Sequence, residues 1–192
     1  LWVLAKIMLV FSAAMATARE VEGGTLERLR LTRMHPAEYL LGTALAQLVL
    51  GSASIALTLL VAVGLGFDAP LAALPLAALI ALLTGLACIG VGTIVASVSR
   101  SVAQAFAIAS FFMFLLLLFS GAVFPIPSLA ILDALPPVHG ARAQHEVLVL
   151  DAGVVDVARP LAALTTLSVL FFAAGGWRFA QLHRSFLHRA RR

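Results

Sequence analysis

Five long apolar stretches, joined by connections that are alternately rich and poor in arginine, restrict this chain more than any other feature. Residues 19–38, 98–103 and 178–192 together hold ten Arg, whereas the alternate connections 67–70 and 124–159 hold only Arg142 and Arg159. Segments on the cytoplasmic side of membrane spans collect Lys and Arg. The alternation therefore predicts an all-α, polytopic membrane protein and also its orientation, with the C-terminus inside. Composition agrees: of 192 residues 62% are hydrophobic and 11% charged, with a mean hydropathy of +1.07, which excludes a soluble domain. The net charge of +4 comes from residues flanking apolar runs. Orientation and contact with anionic lipid account for it better than nucleic acid does. Lys6 is the only lysine among thirteen basic residues, and Ala and Leu are abundant. This bias is typical of GC-rich bacterial genomes and points to a bacterial cytoplasmic membrane.

Each stretch is long enough to cross about 30 Å of hydrocarbon as a helix. The expected spans are 1–18, 39–66, 71–98, 103–124 and 159–180, within one transmembrane domain covering 1–192, followed by a cytoplasmic tail, 181–192. The turn Gly66-Phe67-Asp68-Ala69-Pro70 has no basic residue, as an outside hairpin should, and Val98-Ser99-Arg100-Ser101 has one, as an inside hairpin should. An odd number of spans with an inside C-terminus leaves residue 1 outside. With no initiator Met, this suggests a preceding part with at least one further span. The competing reading takes Leu1–Ala18 as a signal peptide ending in Ala16-Thr17-Ala18. It would put the ten Arg on the wrong side.

Two segments do not span. In 19–38, Arg19-Glu20-Val21-Glu22-Gly23-Gly24 reads as polar and flexible, and Thr25-Leu26-Glu27-Arg28-Leu29-Arg30-Leu31 as a short amphipathic helix. The Thr25 hydroxyl can cap its start, Leu26 and Leu29 share a face, and Glu27 and Arg30 pair at i,i+3. Pro36 and Glu38 suit the start of the next helix. The bland alternative is a solvated linker, though a simple hairpin needs far fewer residues. In the second segment, Ser120-Gly121-Ala122-Val123-Phe124-Pro125-Ile126-Pro127 ends a helix and Pro136-Pro137 breaks the chain again. Ser128–Leu135 and Val138–Leu150 are apolar but too short to cross. Irregular backbone at membrane depth survives only under cover of protein or water. Two short helices dipping in from outside, a re-entrant hairpin over 125–150, are expected; a plain extracellular loop is the alternative.

Little here suggests chemistry. Nothing resembles a P-loop. His145-Glu146 would open a zinc-protease motif, but the position for its second His holds Val149. His35, His183 and His188 lie in basic segments, and Cys88 alone can form neither a disulfide within the chain nor a cysteine metal site. No charge stands at the centre of any span, which counts against a proton-coupled carrier. Gln47, Gln104 and Ser110 are the candidate polar positions of a substrate path. With Ser52, Ser54, Thr58, Thr84 and Thr93, they would otherwise simply bond neighbouring helices.

Glu22-Gly23-Gly24-Thr25-Leu26-Glu27-Arg28-Leu29, followed by Thr32, Glu38 and Gly42, resembles the cytoplasmic motif of the ABC-2 type exporter permeases. Ser120-Gly121 and Phe124-Pro125-Ile126, with Pro137 beyond, resembles the same family's motif after its fifth span. Arg33, Thr43 and Pro136 depart from the common residues, which leaves subfamily and cargo open. The resemblance implies a transport subunit, not an enzyme, with five of a permease's six spans present. It further implies no cofactor of its own, because a separate ABC ATPase subunit binds the ATP, and a second permease copy, identical or not. Residues 25–34 would be the coupling helix, with Glu22, Gly24, Thr25, Leu26, Glu27, Arg28, Leu29 and Thr32 as ATPase-coupling positions. Ser120, Gly121, Phe124, Pro125 and Pro137 would belong to an outer gate. The cargo would be drug-like, a lipid or a polysaccharide precursor. A passive channel, a structural membrane subunit and an intramembrane enzyme built on His139, Arg142, His145 and Glu146 are the alternatives.

Overall fold

The computed structural model describes residues 2–24, 36–67, 70–119, 135–150 and 152–189. Among these described residues, six α-helices follow one another: α1 (Trp2–Glu22), α2 (Pro36–Gly64), α3 (Leu74–Val98), α4 (Val102–Phe119), α5 (Pro136–Val149) and α6 (Ala158–Arg189). A short 3-10 turn, Leu71–Ala73, leads into α3. Glu38–Gly64, Leu74–Val98, Val102–Phe119 and Ala158–Gln181 are each long and apolar enough to cross a membrane. The chain is an all-α, multi-pass membrane protein. At about 1.5 Å per residue, the 21 residues of α1 extend about 31 Å.

Helix α3 is the axis of the bundle, because its small residues let other backbones come close. A Cβ on Gly92 would meet the Val10 carbonyl oxygen at 2.5 Å and the Ala13 Cβ at 2.8 Å, so α1 lies directly against this face. A Cβ on Gly90 would meet the Phe171 carbonyl carbon at 2.5 Å, and one on Gly175 would meet the Gly90 oxygen at 2.9 Å. At that crossing α3 and α6 nearly touch. The Ser168 hydroxyl donates across it to the Leu83 carbonyl at 2.7 Å.

Helix α4 packs antiparallel on α1 in layers. Ala18 shares a cluster with Ala105, Ala14 with Ala109, and Leu9 and Val10 with Leu116. Helix α5 runs antiparallel along the first half of α3. Gln144 donates to the Ala77 carbonyl at 3.3 Å, Gly140 sits against Thr84, and Pro136 and Pro137 reach Cys88 near the middle of α3. Helix α2 is the least enclosed.

One sequence expectation needs correction. Arg19–Glu22 is not flexible; it is the last turn of α1, and the chain turns only at Gly24, whose φ of 67° suits a residue without a side chain. Pro136-Pro137, read as a break before a short helix, stands at the start of α5, where a proline gives up only an N–H that has no partner. The apolar part of α6, Ala158–Gln181, ends where the expected tail begins, and the helical backbone runs on to Arg189. The second helix closes as expected near Gly66, with Phe67 N–H donating to Ala62 O at 3.0 Å and Gly66 N–H to Val63 O at 2.9 Å. That is a Schellman turn, which Gly66 permits at φ 93°.

Candidate functional site

The polar chemistry gathers at the end of the bundle that holds Arg19 and Arg100. Ser99, Arg100 and Ser101 join α3 to α4 there. The Ser101 hydroxyl accepts from the Gln104 N–H at 3.2 Å, and the Gln104 side-chain oxygen accepts from the Arg100 N–H at 2.7 Å. This is half of a capping box: Ser101 caps the Gln104 N–H, while the Gln104 oxygen reaches one residue further back, to Arg100. Glu22, at the end of α1, adds a third acceptor: its carboxylate takes the Val102 N–H at 2.5 Å. On the other side of the same end, Tyr39 stacks on Phe179 with ring centroids 5.7 Å apart. Leu40 and Val21 complete the patch. The two ends of segment 23–35 are therefore both fastened to the bundle, one through Glu22 and Val21, the other through Tyr39 and Leu40.

Between α1 and α4 lies an open trough of about 340 Å³ lined by Phe11, Ser12, Met15, Ala16, Arg19 and Phe106. Phe11 and Phe106 meet edge to face at 5.4 Å. Behind it, the Ser12 hydroxyl donates to the Gln47 side-chain oxygen at 2.8 Å, and Gln47 is only 7% exposed. A second, closed cavity of about 30 Å³ is wholly apolar. Val10, Cys88, Phe112, Leu116 and Phe171 line it, and Leu135, Pro136 and Pro137 form its remaining wall.

The structure thus separates the three candidate path residues. Gln47 is buried between α1 and α2, Ser110 is half-buried on α4, and Gln104 serves the cap at the start of α4. Other span hydroxyls mostly return to their own helix rather than bonding a neighbour. Thr84 donates to Ile80 O, Thr93 to Ile89 O, Ser54 to Leu50 O and Thr58 to Ser54 O. Among the coupling positions, Glu22 and Gly24 are in place as described. Thr25, Leu26, Glu27, Arg28, Leu29 and Thr32 lie outside the described residues, as do Ser120, Gly121, Phe124 and Pro125. On α5, Arg142 and His145 are exposed and His139 and Glu146 half-buried. Among the described residues no three His, Cys, Asp or Glu stand together as a metal site would require. The role of Ser101 and Gln104 was readable in advance, since Ser101-Val102-Ala103-Gln104 is an S-x-x-Q signature. Nothing in the sequence announced the reach of Glu22 to a residue 80 positions away.

A family model described as ABC-2 type transporter matches residues 2–137. The chain belongs to the ABC-2 type transporter family. No curated protein and no solved structure matches it. For an ABC-2 type transporter, the matched residues include α1 to α4, the segment after Glu22 and the start of α5. A membrane-embedded transport role follows from membership and helical architecture together.

Proposed function

We propose that this chain is the permease subunit of an ATP-driven ABC exporter, in which α1 is a fifth span and a separate P-loop ATPase supplies the energy. The match over residues 2–137 carries the reading. It is supported by the anchoring of both ends of segment 23–35, which suits a lever: a rigid displacement there is delivered to α1, α2, α4 and α6 together. Thr25, Leu26, Glu27, Arg28, Leu29 and Thr32 would dock into the ATPase on the cytoplasmic side, with Glu22 and Gly24 at the root of the lever. ATP binding would draw two ATPases and two permease copies together and exchange the spans between two packings of similar energy.

On the outer side, residues 125–150 form the re-entrant gate, with Ser120, Gly121, Phe124 and Pro125 leading into it. Helix α5, 14 residues and so about 21 Å long, is too short to cross, and its first turn reaches Cys88 midway along α3. The wholly apolar seat of Leu135–Pro137 suits a closure that excludes water. The trough between α1 and α4, with Ser110 and the buried Ser12–Gln47 pair near it, is the candidate route for a drug-like, lipid or polysaccharide-type cargo. Gln104 contributes at its cytoplasmic mouth.

Cysteine labelling tests the placement. Arg28→Cys in the full chain is expected to escape an impermeant maleimide added to intact cells and to react in inverted vesicles. The same variant should crosslink to a co-purifying P-loop ATPase. Labelling in intact cells would overturn both the orientation and the route by which energy arrives.

A further inference from the structure

The contact between Glu22 and α4 has a mechanical meaning, since it joins two helices at the root of segment 23–35. We propose that Glu22 is a positioning residue that latches the end of α1 to the start of α4. Motion of the segment after it then reaches the seat of Leu135–Pro137 through the α1–α4 pair. The inference rests on the permease reading, and it assigns Glu22 to an internal bond in place of a contact with the ATPase.

Five observations support it. Val102 is the first residue of α4, and its N–H is one of the donors that a helix start leaves without an intrahelical partner. Ser101 and Gln104 accept from the neighbouring N–H groups of Gln104 and Arg100, and the Glu22 carboxylate takes that of Val102 with the charge that a helix N-terminus favours. The bond also continues a register. Glu22 stands opposite Val102, Ala18 opposite Ala105, Ala14 opposite Ala109 and Val10 near Leu116, with Ala at the close layers, so the two helices interlock along their whole shared length. At the far end of that pair, Val10 and Leu116 themselves wall the cavity that holds Leu135, Pro136 and Pro137. Finally, the chain leaves α1 at once through Gly23-Gly24, and no described residue lies within 4 Å of where a Gly24 Cβ would be. The lever pivots immediately beyond the latch.

The test uses the full chain with its ATPase in nanodiscs, and two variants. Glu22→Gln keeps an acceptor oxygen without the charge; Glu22→Ala removes both. Hydrogen exchange reads the latch directly. Glu22→Ala should speed exchange at the Val102–Gln104 amides by about tenfold and leave Ala143 on α5 unchanged, with Glu22→Gln between. Spin labels on Phe114→Cys and His145→Cys, both exposed positions, read transmission without needing the cargo; Cys88 is buried and stays unlabelled. ATP with vanadate should shift that distance in the parent, and Glu22→Ala should lose most of the shift while still binding and hydrolysing ATP. A full shift in Glu22→Ala despite faster exchange overturns the transmission. Loss of the ATPase from Glu22→Ala also overturns it, because Glu22 would then be a docking contact. Unchanged exchange removes the latch itself. If the parent binds no ATPase and shows no ATP-dependent shift, the permease reading fails, and the exchange arm still decides whether the latch exists.

Discussion

Helices α2 and α3 are both strongly apolar and both long enough to span, yet they occupy opposite situations. Of its most apolar 18-residue window, α3 buries 56% within the protein, and α2 only 11%. The difference lies in where small residues fall. On α3, Gly90 and Gly92 admit α6 and α1 to backbone distance. On α2, Leu41, Leu45, Leu57 and Leu60 project outward, while a narrow line of Ala44, Gln47 and Gly51 meets α1. In lipid, apolarity does not decide which face turns inward, because the tails are as apolar as leucine; close packing does. The molecule therefore has a tight axis, α1–α3–α6, and a loosely attached flank.

The sharpest test of that contrast is Gly90→Ala. The new Cβ would sit 2.5–2.6 Å from backbone atoms of Phe171 and Phe172, and backbone cannot step aside as a flexible side chain can. A loss of about 3 kcal/mol is expected from overpacking. It should appear as a lower unfolding midpoint in mixed micelles, with the α3–α6 crossing opened. A midpoint within error of the parent would mean that α3 is not the tight axis.

Next comes a pair of truncations of equal chemistry. Ile80 is fully buried among Ala77, Ala143, Val147 and Val157, so Ile80→Ala should cost about 2–3 kcal/mol. Leu60, 70% exposed on α2, should cost less than about 0.5 kcal/mol when cut to Ala. Similar losses at the two sites, measured in the same micelles, would erase the distinction between axis and flank.

Much of this architecture was legible in the sequence, and the failures have identifiable causes. Runs of apolar residues marked where α2, α3 and α4 lie, and the short turn read at Gly66 follows α2. Polarity misled at Arg19–Glu22: charged residues can continue a helix when one face, here Ala18 and Val21, still packs. The break read at Pro136-Pro137 coincides with the start of α5, since proline is tolerated at a first turn. Residue type alone could not show which helix is central, since the contacts of Gly90 and Gly92 depend on neighbours far along the chain. For the candidate site, the sequence named Glu22 and Pro137 but not what they touch. Gln104, named for a path, also caps α4, a role that its spacing from Ser101 already fitted.

A smaller effect probes the polar joint between axis and flank. Ser12→Ala removes the hydroxyl that donates to Gln47, leaving a carboxamide oxygen at a site only 7% exposed. Interhelical hydrogen bonds in membranes contribute about 1 kcal/mol, so Ser12→Ala should cost that much. Gln47→Leu should cost a similar amount, and the double variant little more than either. That non-additivity is the signature of one bond; simple addition would show that the two side chains act separately.

The smallest change should fall at Gly42, on the exposed face of α2. No described residue lies within 4 Å of where its Cβ would be, so nothing among the described residues requires glycine there. Gly42→Ala should therefore leave the unfolding midpoint unchanged or raise stability by about 0.5–1 kcal/mol through helix propensity. A loss above about 1 kcal/mol would mean that α2 packs more closely than the structure places it, since that range belongs to overpacking. If stability holds but ATP-dependent movement of α4 fails, the demand for glycine comes from a surface outside this chain. The flank would then be loose within one copy because it is completed by another.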